Sequence, residues 1–194
     1  MKLYSLLSEL LLVAVLLFCF AMLWREPLHH RVKLLFLTGL VTLAGTAALG
    51  LVCFAGLEQW NDFYGGMMYL AKRLAMVLMV ALVAWQFNAG KKDMRYLILV
   101  LAGAGLINLL VGLPLLTESV TVLMMALIGK QMMNYPNMGP FYLTVIALGL
   151  LAFLPLLPLV SIDHESSLYH LNLALLVACL TVLLRSWLAQ HSKA

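Results

Sequence analysis

Charged residues are scarce in this chain. Lysine, arginine, aspartate and glutamate make up 10% of its 194 residues, whereas 64% are hydrophobic and the mean hydropathy is +1.04. Soluble domains carry about 25% charged residues. A fold of this length cannot hide so much apolar surface from water, so we predict that the chain lies in a lipid bilayer.

Several chemical signatures are also missing. The three cysteines, Cys19, Cys53 and Cys179, form no CxxC pair, which argues against a disulfide framework or a thiolate metal site. The sequence has no glycine-rich phosphate loop. Its formal net charge of +4 comes from residues spread over the ends of apolar runs, so we expect no nucleic acid partner.

The chain is built instead from seven apolar runs. A spanning helix needs about 20 apolar residues, and six runs meet that length. The fifth run is shorter and carries Lys130. It can still span the bilayer if the alkyl stem of Lys130 extends along the helix and brings its ammonium to the interface. We therefore predict an all-α, polytopic membrane protein with a single transmembrane domain over residues 1–194. Its seven transmembrane helices are expected at about 4–24, 34–56, 67–87, 96–116, 119–134, 141–160 and 167–188.

The distribution of charge predicts an orientation. With seven spans and the N-terminus outside, nine of the twelve basic residues fall on the cytoplasmic side, and six of the eight acidic residues fall on the outer side. An excess of lysine and arginine in cytoplasmic loops is the general rule. We expect a multi-pass protein of the bacterial cytoplasmic (inner) membrane, with its N-terminus out and its C-terminus in.

Ionisable side chains at membrane depth are costly and point to functional sites. Glu9 lies one or two turns into the first span, and Lys72 and Arg73 lie at the outer end of the third. These two cations lie on the outer side of the membrane, where the positive-inside rule predicts few basic residues. We expect them to pair with an acid such as Glu9 or Asp62, in a buried ion pair that fixes geometry more than it stabilises.

His170 lies one turn inside the last span. Small or polar residues share its helical stripe, which should therefore face the bundle interior; they are Ala174, Ala178, Thr181 and Arg185. We expect His170 to look into a cavity near Asp62, Asp163 and His164. A histidine beside carboxylates serves as a general base, a metal ligand or a pH-sensitive group, or is simply satisfied by a carboxylate within the packed interior.

These residues define overlapping candidate sites. The catalytic candidates are His170 and Asp62. A three-ligand zinc set would consist of His164, His170 and Asp62; we expect no resident cofactor, with zinc as the alternative. The ligand-binding candidates surround an outward-facing polar pocket and comprise Glu9, Asp62, Lys72, Arg73, Asp163, His164 and His170.

The last segment, "DHESSLYHLNLALLVACLTVLLRS", resembles the last helix of bacterial seven-helix membrane proteins that are distant relatives of the alkaline ceramidase and adiponectin-receptor-like hydrolases. The segment "MMYLAKRLAMVLMVALVAW" is similar to their third helix. The resemblance implies a zinc hydrolase in which His170 is a metal ligand and Asp62 is the aspartate of the site. It also implies a degenerate site, because the second span has no histidine and Ala174 stands where the family has another.

Three functions follow from these observations. The first is an integral membrane protein with an outward-facing polar pocket that binds a lipid or a small amphiphile without catalysis. The second is a ceramidase-like membrane hydrolase with a degenerate metal site. The third is an accessory or structural subunit whose polar stripe contacts another membrane subunit. The residues favour binding over catalysis, with membrane lipids as the expected partners.

Overall fold

The computed structural model describes residues 2–26, 30–113, 116–132 and 162–191. No strand occurs in these ranges, which confirms the all-helical prediction for the described part of the chain. In chain order the elements are α1 (Lys2–Trp24), α2 (His30–Phe54), a 3-10 turn (Glu58–Trp60), α3 (Asn61–Leu70), a π-helical turn (Ala71–Ala75), α4 (Met76–Phe87), α5 (Lys92–Val111), α6 (Leu116–Met132) and α7 (Ile162–His191). The π-helical turn joins α3 to α4 without a break, so these three segments form one long helix.

Several of these helices suit a bilayer. Shorter apolar stretches occupy Ser119–Gln131 in α6 and His170–Arg185 in α7. The sixth predicted span, 141–160, lies outside the described residues, so the count of seven stays a prediction. Four described helices are long and apolar enough to cross a membrane, which supports the predicted class of membrane protein: Leu6–Trp24, Val32–Phe54, Asn61–Phe87 and Lys92–Val111.

A buried stripe runs along α1. Its members recur every three or four residues and therefore share one face of the helix. That face packs against α2 and α7, whereas large apolar side chains such as Leu10 and Phe18 remain exposed on the other side. This division is expected of a helix with one face toward protein and one toward lipid. The stripe consists of Glu9, Leu12, Leu16, Cys19 and Leu23.

Helices α1 and α7 run in the same direction. Near their N-terminal ends, His170 of α7 lies beside Ser8 and Glu9 of α1. At the other end, Arg185 Nε binds the Glu26 carboxylate at 2.7 Å, just beyond the last turn of α1. The Arg185 side chain is 55% exposed, so this ion pair adds little stability. Together the two contacts fix the register of α1 against α7.

Helices α3 and α7 extend further toward their N-termini than the apolar runs from which their spans were predicted. Helix α3 begins at Asn61 instead of residue 67, and α7 begins at Ile162 instead of residue 167. Asp62 and His164 therefore lie on helices and not in loops. Two adjacent glycines at positions 65 and 66 have low helix propensity, so the sequence does not indicate that α3 begins before them. Acidic residues such as Asp62 complement the helix dipole in a first turn, so polar sequence there does not exclude a helix.

Candidate functional site

Glu9 lies buried where α1 meets α3 and α7. Its residue is 1% exposed. The Tyr64 hydroxyl of α3 donates a hydrogen bond of 2.8 Å to Glu9 Oε1, and Nε2 of His170 lies 3.4 Å from the same oxygen. The structure thus brings together two of the predicted site residues, Glu9 and His170, and adds Tyr64.

His170 faces polar groups of α1 with both ring nitrogens. Nε2 points at Glu9, and Nδ1 lies 3.4 Å from the Ser8 hydroxyl oxygen. A neutral imidazole donates through one nitrogen and accepts through the other. A ring protonated at Nε2 therefore donates toward Glu9 and accepts the Ser8 proton. His170 is 5% exposed, and Ala174 and Thr181 are also buried. These members of the predicted stripe face inward, whereas the Arg185 side chain is 55% exposed.

Gly50 of α2 makes room for this cluster. A Cβ atom at Gly50 would come within 2.8 Å of Glu9 Cδ and 3.1 Å of Tyr64 Cε2. Real Cβ atoms do not approach a carboxyl group so closely, so any larger side chain would displace Glu9 or Tyr64. The close approach of α2 to α1 and α3 therefore depends on the absence of a side chain at this position.

One oxygen of the Glu9 carboxylate has no hydrogen-bond partner in the part of the chain that the structure describes. Oε2 is buried and accepts no hydrogen bond from the described residues. Glu9 also lines a cavity of about 20 Å³, and roughly 10–15 Å³ of such space is enough for one water molecule. Apart from Glu9, Tyr64, His170 and Thr46, its walls are apolar: Leu12, Leu43, Ala47, Met68, Ala71 and Leu173.

The free oxygen defines what the cavity can bind. An ionised carboxylate needs a donor at Oε2, and a carboxylic acid protonated there needs an acceptor. Leaving a buried oxygen unpaired costs about 1–3 kcal/mol, and more when it is charged. The cavity therefore suits a small polar group that hydrogen-bonds to Glu9 while apolar atoms surround it.

The π-helical turn borders this cavity. Ala71 lines it, and Thr46 Oγ1 reaches Met67 O of α3 at 3.3 Å, which ties α2 to the helix just before the turn. Single π turns interrupt the regular α-helical ladder and are common at functional sites. Here the turn carries both cations that the sequence places at this end of the span, Lys72 and Arg73.

Among the described side chains, Arg73 pairs with neither of the expected acids, Glu9 and Asp62. Its Nη1 donates to the Asn108 carbonyl at 2.9 Å and to the Tyr69 hydroxyl at 2.7 Å, and its guanidinium lies 4.3 Å from the Tyr69 ring centroid. Helix α5 ends at Val111, so the Asn108 carbonyl near that end carries negative partial charge. The described partners of Arg73 are thus a helix end and an aromatic side chain, and Arg73 is not a partner of Glu9.

The remaining predicted residues are placed as follows. Asp62 is exposed on the first turn of α3. Lys72 lies in the π turn, and Asp163 and His164 lie in the first turn of α7, but the side chains of these three fall outside the description. No group of three or more His, Cys, Asp or Glu side chains among the described residues could hold a metal ion. The zinc set therefore stays a prediction.

Three contributors to the site were not predicted: Ser8, Gly50 and Tyr64. An aromatic residue at a span end is ordinary in membrane proteins, so nothing in the sequence marks Tyr64. One signal was available for Glu9, because it continues the spacing of the apolar stripe of α1. That spacing favours a buried acid over one at the lipid interface.

No family model, curated protein or solved structure matches this chain. The resemblance to ceramidase-like hydrolases is therefore untested, and the function has to be argued from the geometry of the site.

Replacing Gly50 with alanine should disrupt the site. The new Cβ would collide with Glu9 and Tyr64, and overpacking of this kind costs about 1–3 kcal/mol. Gly45 lies on the same helix with open space around it, and alanine there should gain roughly 0.5–1 kcal/mol. Thermal unfolding in detergent should therefore show a lower Tm for Gly50→Ala and an equal or higher Tm for Gly45→Ala. Equal shifts for the two variants would contradict the close approach at Gly50.

Proposed function

We propose that this chain is a multi-pass integral membrane protein that binds the polar group of a lipid or another small amphiphile at Glu9, without catalysing a reaction. The observation that carries the proposal is the unpartnered Oε2 of a fully buried carboxylate beside a cavity. A buried oxygen needs a hydrogen-bond partner, and the described residues supply none to Oε2, so we infer that a bound ligand supplies it.

The size and lining of the cavity limit the ligand chemistry. About 20 Å³ admits a hydroxyl or a primary amine, each of which donates a hydrogen bond to a carboxylate. It does not admit an alkyl chain, so the apolar part of the ligand stays outside the cavity. A carboxylate or phosphate headgroup is disfavoured because it would place negative charge against Glu9.

Catalysis has weaker support than binding. The hydrolase alternative needs a metal set, and among the described side chains Glu9 and His170 form an acid–histidine pair without a third ligand. The alternative of an accessory subunit rests on the polar stripe of α7. The described part of that stripe is occupied by α1, since His170 contacts Ser8 and Glu9.

The proposal includes seven spans with the N-terminus outside, in a bacterial inner membrane. The parallel direction of α1 and α7 supports an odd number, because the first and last spans run the same way only when the total is odd. The distribution of basic residues supports the orientation. The Glu9 site then lies toward the outer surface.

Cysteine labelling tests the orientation. Gln59 and Lys92 are exposed at opposite ends of the long helix Asn61–Phe87 and its flanking turns. With a membrane-impermeant maleimide, Gln59→Cys should react in intact cells, and Lys92→Cys should react only after permeabilisation. The three native cysteines are buried, so the parent protein serves as the blank. The reverse pattern would invert the orientation, and reaction of both from one side would rule out a span between them.

Ligand binding is tested with amphiphiles of one chain length and different headgroups. We expect dodecylamine or dodecanol to raise the Tm of the protein in nanodiscs, and dodecanoate not to. Glu9→Gln should weaken that binding at least tenfold, because a hydrogen bond to a charged group is worth about 1.5–3 kcal/mol. The matched control is Asp62→Asn, which removes an exposed carboxylate at the same end of the bundle and should leave binding unchanged.

Two results would contradict the proposed function. One is that none of the three amphiphiles changes the Tm of the wild-type protein, as expected if the cavity holds only water. The other is that Glu9→Gln binds the active amphiphile as tightly as wild type, which would place the ligand elsewhere.

A further inference from the structure

A second cavity lies between α1 and α2, toward the end of these helices opposite to Glu9. It measures about 580 Å³, within the range of roughly 300–1,000 Å³ that is usual for small-molecule sites. Its lining is apolar apart from one lysine and two threonines. We call it the α1–α2 groove and define it by Phe20, Trp24, Lys33, Leu34, Leu37, Thr38, Val41 and Thr42.

The groove begins at the membrane interface. The spans of α1 and α2 end at Trp24 and begin at Val32, respectively, so Trp24 and Lys33 lie at the level of the lipid headgroups. Tryptophan is typical of that level, and a lysine there keeps its stem along apolar surface while its ammonium reaches the polar zone. From this level the groove extends along α2 as far as Thr42.

The ammonium of Lys33 is held in place by backbone carbonyls and an aromatic ring, and no described acid neutralises it. It donates to the backbone carbonyls of Trp24 and Glu26, the latter at 3.2 Å, and lies 5.6 Å from the Trp24 ring centroid. The Glu26 carboxylate is engaged by Arg185 at 2.7 Å. No carboxylate in the described residues pairs with Lys33, and an ammonium has three donors, of which two are used here.

The walls of the groove suit an alkyl chain. Thr38 and Thr42 donate their hydroxyls to the carbonyls of Leu34 and Thr38, each at 2.9 Å. Their polar groups are therefore satisfied within α2. Apart from Lys33, the remaining lining residues are aliphatic or aromatic, so an acyl chain can lie against them.

We propose that the α1–α2 groove binds one anionic phospholipid. Its phosphate accepts the third donor of Lys33, and one acyl chain lies along Leu37 and Val41. No acid of the described residues neutralises the positive charge of Lys33 at the headgroup level. This charge favours an anionic lipid, and the apolar groove below it accommodates the acyl chain. This site is distinct from the Glu9 cavity, whose carboxylate repels such a headgroup.

Native mass spectrometry of the detergent-purified protein tests the proposal. The probes are phosphatidylglycerol and phosphatidylcholine with identical acyl chains, added in equal amounts. Wild type should retain phosphatidylglycerol about fivefold over phosphatidylcholine, the factor that ~1 kcal/mol per basic residue at a membrane surface implies. Lys33→Gln should abolish this preference while keeping the length of the side chain.

Two further variants separate the charge from the groove. Lys92→Gln makes the same change of net charge at an exposed lysine outside the groove and should keep the preference. Val41→Trp fills the groove from a position that is 57% exposed, so it should fold, and it should lower retention of both lipids. The proposal is overturned if Lys33→Gln keeps the preference, if Lys92→Gln loses it equally, or if Val41→Trp retains both lipids as wild type does.

Discussion

A carboxylate buried among apolar helices is the constraint on which this architecture depends. Removing Glu9 from water is unfavourable unless its oxygens find partners. One oxygen accepts a hydrogen bond from the Tyr64 hydroxyl and faces the His170 ring. Helices α3 and α7 must therefore both pack against α1. Helix α2 can join them because Gly50 has no side chain to collide with the carboxyl group. Four helices are thus arranged around one acidic group.

The same acid links the fold to a function. Its second oxygen is buried without a partner in the described chain and borders a small cavity. A purely structural acid would be satisfied on both sides, as buried polar groups generally are. The second oxygen of Glu9, which no described residue partners, is the physical basis for the binding that we propose at this end. At the other end, Glu26 binds Arg185, and no acid of the described residues pairs with Lys33.

Much of this arrangement could be predicted from the sequence. Composition indicates a membrane protein, and helical spacing places His170 on an inward face of α7. A carboxylate near His170 was predicted, but the acids expected there were Asp62 and Asp163, and Asp62 is exposed. The spacing of residues along one helix predicts which face is buried, but it does not predict which residues of other helices contact that face. For that reason Tyr64, Gly50 and the carbonyl that binds Arg73 could be found only once the helices were packed.

The central claim is that Glu9 and Tyr64 act as one unit that holds α1 against α3, and a double-mutant cycle tests it most directly. Chemical unfolding in detergent micelles would be measured for wild type, Glu9→Gln, Tyr64→Phe and the double variant. Tyr96→Phe serves as the control at a residue that is 69% exposed. We predict a coupling energy of about 0.5–3 kcal/mol between positions 9 and 64. Additive effects of the two substitutions would contradict the account.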